Sequence, residues 1–588
     1  MAQSFQLFAI VVILRLTNLA GAAAKGDGFG EQPLSKIAIE KATINLSSTT
    51  SVKASPSVLG LKDEDTGWVT VYLENQTPTG DDWVGVFSPA RFNDSMCPPV
   101  NAPKEQTPYI CTAPIKYKYA TDSNPNYTTT GKSSLKFQLI NQRADFSFAL
   151  FSGGLSNPNL VAVSNFITFA NPKAPVFPRL AQGKSWNELF HLLSGGIEGQ
   201  ARMRSGAGTL TFDRSMMCGA PAKTVGWRDP GFIHTSFLKD LWPNIEQFYK
   251  LEHRLSNGTI IWSKKYKFRS SPYPGQDSLY FRCVKHIFSC IFQGERDGSN
   301  EYSNYHPGAL MTTDQIISDL ENVDIFTAQV EPIASTVPYM VGSGNHERDW
   351  PDSGSFYDKM DSGGECGVLA ETMFYVPAEN RAKFWYKTDY GMYRFCIADT
   401  EHDWREGSEQ KQPWLIFAAH RVLGYSSNYY YGQEGSFEEP MGRESLQKLW
   451  HKYKVDIAFY GLVHHYERSC PVYQSQCVTS EQSHYSAAVK GTIHVVVGGA
   501  GSHLFDFSQV QPNWSIYRDH DFGFVKMTAF NHTSLLFEYK KSNDGKATIY
   551  FSHISSRRKL KSTTFSCILH SVFLQEPLLY ELNVHKLN

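Results

Sequence analysis

Hydrophobic and polar positions follow two different periods along this chain. Between residues 40 and about 170, short aromatic and β-branched runs recur with turn residues between them: "GWVTVYLEN", "DWVGVFSPA", "PIKYKYA", "SLKFQLI" and "DFSFALFSG". That pattern predicts the strands of a β-sandwich over residues 40–172. "NPKAPVFPRLAQG" is proline-rich and predicts a linker. "TLTFD", "GFIHTSFL", "EQFYKLEHRL" and "TIIWSKKYKF" predict a second β domain over residues 176–272, with "SSPYPGQDS" as the next linker.

From residue 279 to 542 the pattern changes to strands alternating with helices. "PYMVGSGN" predicts a strand and then a loop. "RESLQKLWHKY" puts Leu446, Leu449, Trp450 and Tyr453 on one helical face, and "VDIAFYG" follows as a buried strand. Together they form a helix–strand unit of an α/β domain. "MYRFCIAD", "WLIFAAH" and "TIHVVVGGAG" predict further buried strands. The first two, as parallel neighbours, need a crossover, usually a helix. Yet "TEHDWREGSEQKQP" between them is polar and has no apolar stripe to bury. Upstream, Thr312-x-x-Gln315 reads as a capping box opening a helix with Ile316, Ile317, Leu320 and Val323 on one face. The strand after it, residues 323–326, is short for a central strand. Residues 546–588 are basic and then apolar without clear periodicity, and stay unassigned.

Composition sharpens this picture. The 588 residues have room for three or four domains. Charged residues make up 19%, the net charge is −1, and no basic run is long enough to track nucleic acid, so none is expected as a partner. Residues 1–24 read as a secretory signal: residues 7–14 are apolar, and Ala20-Gly21-Ala22 or Ala22-Ala23-Ala24 offers a cleavage site, although a charged n-region is missing. The apolar run is too short to span a bilayer. A secreted protein, extracellular or in the cell wall and without a membrane partner, is expected. Asn-X-Ser/Thr sequons at Asn45, Asn75, Asn93, Asn126, Asn257, Asn513 and Asn531 suggest a glycoprotein. Ten cysteines allow disulfides; Cys470 with Cys477, and Cys97 with Cys111, would each close a short loop, but spacing does not fix the pairing. No C-x-x-C pair is present, which argues against a cysteine zinc site or redox motif.

Three of the predicted strands end in candidate chemistry. Asn345, His346 and Glu347 follow "VPYMVGSG", His420 follows "PWLIFAA", and His464 and His465 follow "DIAFYGLV". Ligands of open α/β sheets bind outside the carboxyl ends of strands. One histidine after a strand is usually a packed or surface side chain; three such loops together are what a metallohydrolase requires. Imidazole nitrogen suits zinc and iron, and amide oxygen a harder ion. A bound metal would polarise a phosphoryl oxygen and supply hydroxide. Alternation along an extended stretch turns His465 away from the contacts of His464.

"GNHERDW", "WLIFAAHRVLGYSS" and "GLVHHYERSCPVY" resemble metal-binding blocks of plant purple acid phosphatases, of the large secreted subgroup described as nucleotide pyrophosphatase/phosphodiesterase-like. The resemblance extends through "DDWVGVFSPA", "LTFDRSMMCGAP", "GWRDPGFIHTSFL", "ERDGSNEY", "GGECGVLAETMFYVP", "ADTEHDW" and "GTIHVVVGGAGSH". It implies a multidomain fold: N-terminal β-sandwiches, that of residues 176–272 fibronectin-like, and then a four-layer αββα metallophosphoesterase domain. It further implies iron beside a divalent zinc or manganese, small phosphorylated substrates, and room for a homodimer. By the same resemblance Asn345 is the amide ligand of the divalent ion and His420 another ligand of it. His464 is an iron ligand, and His346, as the catalytic residue, helps Asn345 hold the phosphate.

The chain departs from that pattern in several places. Leu462 stands where the family places a histidine after the glycine, and leucine cannot coordinate. Gln293 and Gly294 stand where the aspartate-bearing first block should end, and the second block, with its bridging carboxylate and tyrosinate, has no counterpart. Tyr429 and Tyr430 stand where some relatives place a proton-donating histidine. Asn345, His420 and His464 therefore remain as an incomplete ligand set in an apparently incomplete domain. The clustered losses match either whole missing segments or a degenerate phosphatase, with Leu462 as a point change. Two functions stay open: an impaired acid phosphatase, or a non-catalytic secreted glycoprotein that binds through its sandwiches.

Overall fold

The computed structural model describes residues 39–62, 64–90, 109–112, 114–185, 187–194, 208–220, 222–224, 227, 231–254, 257–273, 331, 334–378, 384–401, 414–428, 442–483, 485, 490–499, 504–531, 534–541 and 547–552. The signal segment, Asn93, Cys97, the helix expected from Thr312, residues 402–413 of the polar crossover and both upstream blocks lie outside them.

The first unit is a sandwich. Ser51–Ser55, Thr66–Glu74 and Lys132–Ile140 form one antiparallel sheet, and a six-stranded sheet faces it. Alternation decides which side chains meet: Val69, Val71 and Leu73 are buried while Trp68, Tyr72 and Glu74 point out. The inward set interdigitates with Val84, Val86, Phe148 and Leu150 of the opposite sheet.

The proline-rich stretch expected to be a linker is instead a strand, Val176–Gln182, buried throughout. It heads a four-stranded sheet with Leu189–Ser194, Ile233–Leu238 and Gly208–Leu210. The sequence hid this because Arg179 and Gln182 look exposed. Arg179 is in fact buried, donating to the carbonyls of Phe177 and Met373 at 3.0 and 3.1 Å. One interrupted hairpin, Glu246–Tyr249 with Tyr266–Arg269 and inside it Glu252–Arg254 with Ile260–Trp262, packs Phe268 and Tyr249 against Leu180 and Leu189 of that sheet, while Ile233, Phe212 and Met217 share a core with the following domain.

That last domain is built on one mixed sheet. Tyr393–Ala398, Trp414–Ala419, Ile457–Tyr460 and Thr492–Val497 run parallel, and Tyr466–Tyr473 is antiparallel to the last of them. Both faces are covered, as parallel strands require. Ile457 and Phe459 face a second sheet, Gly523–Ala529, Leu535–Lys541 and Ala547–Ser552, where Phe459 stacks on Phe537 and Tyr466 on Tyr539. Ala458 and Tyr460 face the helix Gly442–Tyr453 through Leu446 and Trp450. The helical face read from the sequence is the one that packs. The second sheet continues to Ser552, past the expected boundary at 542 and into the supposed tail: Phe537 pairs with Phe551 and Tyr539 with Ile549, so each strand of this edge hairpin needs the other.

Two expectations near the site change. "PYMVGSG" is buried but makes only an isolated bridge, Pro338 to Leu180, among the described residues. Proline lacks the N–H that a ladder needs there, and the Tyr386 hydroxyl takes up the Val341 carbonyl at 2.8 Å. A disulfide that spacing could not reveal, Cys218–Cys366, joins the four-stranded unit to the loop before the helix Val368–Met373. Cys470–Cys477 closes its hairpin as one of the open pairings allowed.

Candidate active site

The three candidate loops meet at the carboxyl edge of the parallel strands. Asn345–Arg348 is a single helical turn, started by the Glu347 carboxylate accepting from the Gly344 N–H at 3.0 Å. Gly344 is needed for proximity: a Cβ there would lie 2.9 Å from His420 Nδ1. His420 follows its strand directly, and its carbonyl accepts from the Gly461 and Leu462 amides at 3.0 and 2.9 Å. Those bonds fix the 461–464 turn against His420. His464 then stacks on Phe505 at 4.4 Å. His465 turns to a different neighbour, stacking on Phe507 at 3.9 Å, and donates from Nδ1 to the Phe505 carbonyl.

Asn345 and His420 touch: Oδ1 of the amide lies 2.8 Å from His420 Nε2. The other end of the Asn345 amide donates to Asp361 Oδ2 at 2.7 Å, and His346 Nδ1 donates to the Asp361 carbonyl at 3.2 Å. Burial first, and then the nearby charges of Arg421, His346 and His464, hold the His420 imidazole well below its usual pKa, which favours its neutral form. All four expected residues, Asn345, His346, His420 and His464, are thus buried around one point.

Sequence inspection missed the charges beneath them. Arg421 forks onto Glu401, both bonds at 2.9 Å, approaches Asp349 at 3.7 Å and lies over the Tyr357 ring at 3.5 Å. Arg348 bonds Asp399 and Glu371. Asp399 and Glu401 sit just past the strand Tyr393–Ala398, and each arginine follows a candidate ligand stretch. Opposite charges at the ends of adjacent strands were the signal that could have found them. Asp361 had none, since it is far from the motif in sequence and reaches it by a loop.

The donor set does not fit a binuclear centre. Among the described residues no group of three or more His, Cys, Asp or Glu side chains is arranged to hold a metal ion. Leu462, 1% exposed, packs with Val463, Tyr460 and Val496, so an apolar cluster fills the position of the missing histidine. The potential donors Asn345 Oδ1 and His420 Nε2 are satisfied by each other.

Of the glycosylation candidates, Asn45, Asn126, Asn257, Asn513 and Asn531 are exposed. Asn75 is not: it is 5% exposed, and its amide nitrogen donates to Thr77, Asp82 and Tyr127. A glycan would displace that network, so Asn75 is withdrawn as an acceptor.

Known proteins match this architecture. The family model "Fn3-like domain from Purple Acid Phosphatase" covers residues 52–171, the first sandwich. The model "Iron/zinc purple acid phosphatase-like protein C" covers residues 491–549. The chain is 60% identical to an Arabidopsis thaliana protein named "Probable inactive purple acid phosphatase 27", over 93% of this chain and 95% of that one. It is 56% identical to a Hordeum vulgare "Nucleotide pyrophosphatase/phosphodiesterase", over 54% of this chain and 94% of that one. The solved purple acid phosphatase PPD1 from yellow lupin (Lupinus luteus) seeds superposes with a TM-score of 0.76 at 57% identity, over 86% of this chain and 96% of that one. With that identity over nearly the whole of both chains, the chain belongs to the purple acid phosphatase family, phosphatase hydrolases whose family implies a binuclear, iron-containing centre.

Proposed function

We propose that this chain is a secreted purple acid phosphatase-family glycoprotein that recognises phosphate esters and hydrolyses them weakly. The observation that carries this is Leu462, buried in an apolar cluster where a metal-binding histidine would stand. Asn345, His346, His420 and His464 supply only amide and imidazole groups, which can donate hydrogen bonds to phosphate oxygens but bring no carboxylate charge to hold a ferric ion. The family implies that a metal centre, when present, supplies the hydroxide nucleophile. This chain's own residues position: Asp361 orients Asn345 and His346, and burial favours the neutral form of His420.

Impaired catalysis accords with the names of two relatives, the Arabidopsis thaliana proteins called "Probable inactive purple acid phosphatase" 27 and 24, at 60% and 58% identity. The barley relative's name points to nucleotides as one ester class worth testing. No helix among the described residues is long and apolar enough to cross a membrane, and exposed sequons fit passage through a secretory route. The test is phosphorus NMR or calorimetry with inorganic phosphate on the purified full chain, beside Asn345→Ala and His346→Ala. Saturable binding that both substitutions weaken supports the proposal. Binding indifferent to both, or none at all, refutes it.

A further inference from the structure

The outer face of the first sandwich is an unusual surface. Trp68 and Tyr72 lie on one strand, four residues apart on the same side, and are 61% and 52% exposed. Nothing in the fold requires them there, since the core contacts of that strand are made by Val69, Val71 and Leu73 on its other side. At the rise of an extended strand the two rings stand about 13 Å apart. The neighbouring strands fix what surrounds them. Lys53 is directly opposite Tyr72 on one side and Ser134 on the other; Lys136 is opposite Thr70, and Gln138 is opposite Trp68. Lys53, Ser134, Lys136 and Gln138 are all exposed on the same face.

The charge on this face is one-sided. Its carboxylate, Glu74, is already paired with Lys132 at 3.0 Å. Among the described residues neither Lys53 nor Lys136 has an ion-pair partner. The result is a flat platform with two aromatic faces, two uncommitted ammonium groups and amide and hydroxyl side chains between them.

We propose that this face binds an acidic polysaccharide of the polygalacturonate type. The C–H faces of pyranose rings stack on aromatic rings, because the positive C–H edge meets the negative π face. Ring carboxylates match Lys53 and Lys136, and sugar hydroxyls match Gln138, Ser134 and Thr70. The spacing suits an oligosaccharide lying along the strand and touching both rings. A duplex nucleic acid would need a denser basic stripe than two lysines, and a membrane would need apolar side chains rather than a ring-and-lysine mosaic. The platform belongs to a different unit from the phosphate site, so the two can fail independently.

The test is affinity electrophoresis of the secreted full-length protein through gels containing polygalacturonate, its fully methyl-esterified form, or a neutral glucan. Retardation is expected in polygalacturonate alone and should fall as salt is raised. Trp68→Ala with Tyr72→Ala should weaken binding about tenfold or more. Lys53→Gln with Lys136→Gln should weaken it and flatten the salt dependence. Trp242→Ala, an exposed tryptophan outside the sandwich on the loop after Ile233–Leu238, should leave it unchanged. All these side chains are exposed, and melting curves of each variant confirm folding. The proposal is overturned by no retardation in polygalacturonate or by equal retardation in the methyl ester. An aromatic double variant that binds like the parent, or stronger capture by anionic phospholipid vesicles, overturns it equally.

Discussion

Removing Arg421 tests whether the charge network under the site is structural. Its guanidinium is the shared partner of Glu401 and Asp349, both fully buried. Arg421→Ala leaves two buried carboxylates uncompensated, a loss of about 3–5 kcal/mol where a buried pair is broken from one side. For a domain of this size that lowers the melting temperature by on the order of 10 °C. The loss must also depend on pH. Burial, with the charges of Glu401 and Asp361, already pushes Asp349 up to about 6, against the opposing Ser355 hydrogen bond and Arg421. A carboxyl raised in the folded state contributes stability below its unfolded pKa and loses it as pH rises through the folded value. Without Arg421 that folded value rises further, so the variant suffers most above neutrality and recovers as the pH falls toward about 5. Differential scanning calorimetry of parent and variant across that range measures the gap. Arg421→Lys should restore part of the stability, because it keeps the charge and loses the fork. A gap below about 2 °C, or one equal at both ends of the range, would refute the reasoning.

Other expectations follow from the same geometry. Glycopeptide mass spectrometry should find no glycan at Asn75, and an occupied Asn75 would contradict its buried hydrogen-bond network. Cys218→Ser opens a link spanning 148 residues and should cost about 2–5 kcal/mol by denaturant unfolding; an unchanged midpoint would contradict the crosslink. Leu462→His places an imidazole in an apolar cluster and should destabilise the fold by about 1–3 kcal/mol, whereas a neutral or stabilising effect would mean the site still has room for that ligand.

Periodicity carried most of the architecture. Buried strands such as Ile457–Tyr460 and the helical face of Leu446 and Trp450 are local signals, and local physics decides them. Two stretches mislead. Val176–Gln182 holds a proline and an arginine that look like linker residues, and its buried Arg179 is satisfied by the distant Met373 carbonyl; Ala547–Ser552 joins the sheet as the hairpin partner of Leu535–Lys541. Asn345, His420 and His464 stood out because chemistry-bearing residues just past apolar runs are conspicuous. Asp361, Glu401 and Arg421 did not, since their roles exist only once loops far apart in sequence come together. Asn75 looked like any other sequon until the fold buried it.

The most direct measurement is phosphate release from a chromogenic monoester at acid pH by the purified full chain. It should be made with ferric ion plus zinc or manganese supplied, and again with chelator. The account predicts turnover well below about 1 s⁻¹, the floor of ordinary enzymes, with chelator making little difference. Chelator-sensitive turnover within the ordinary enzymatic range would contradict it, and would mean that a working metal centre assembles despite Leu462.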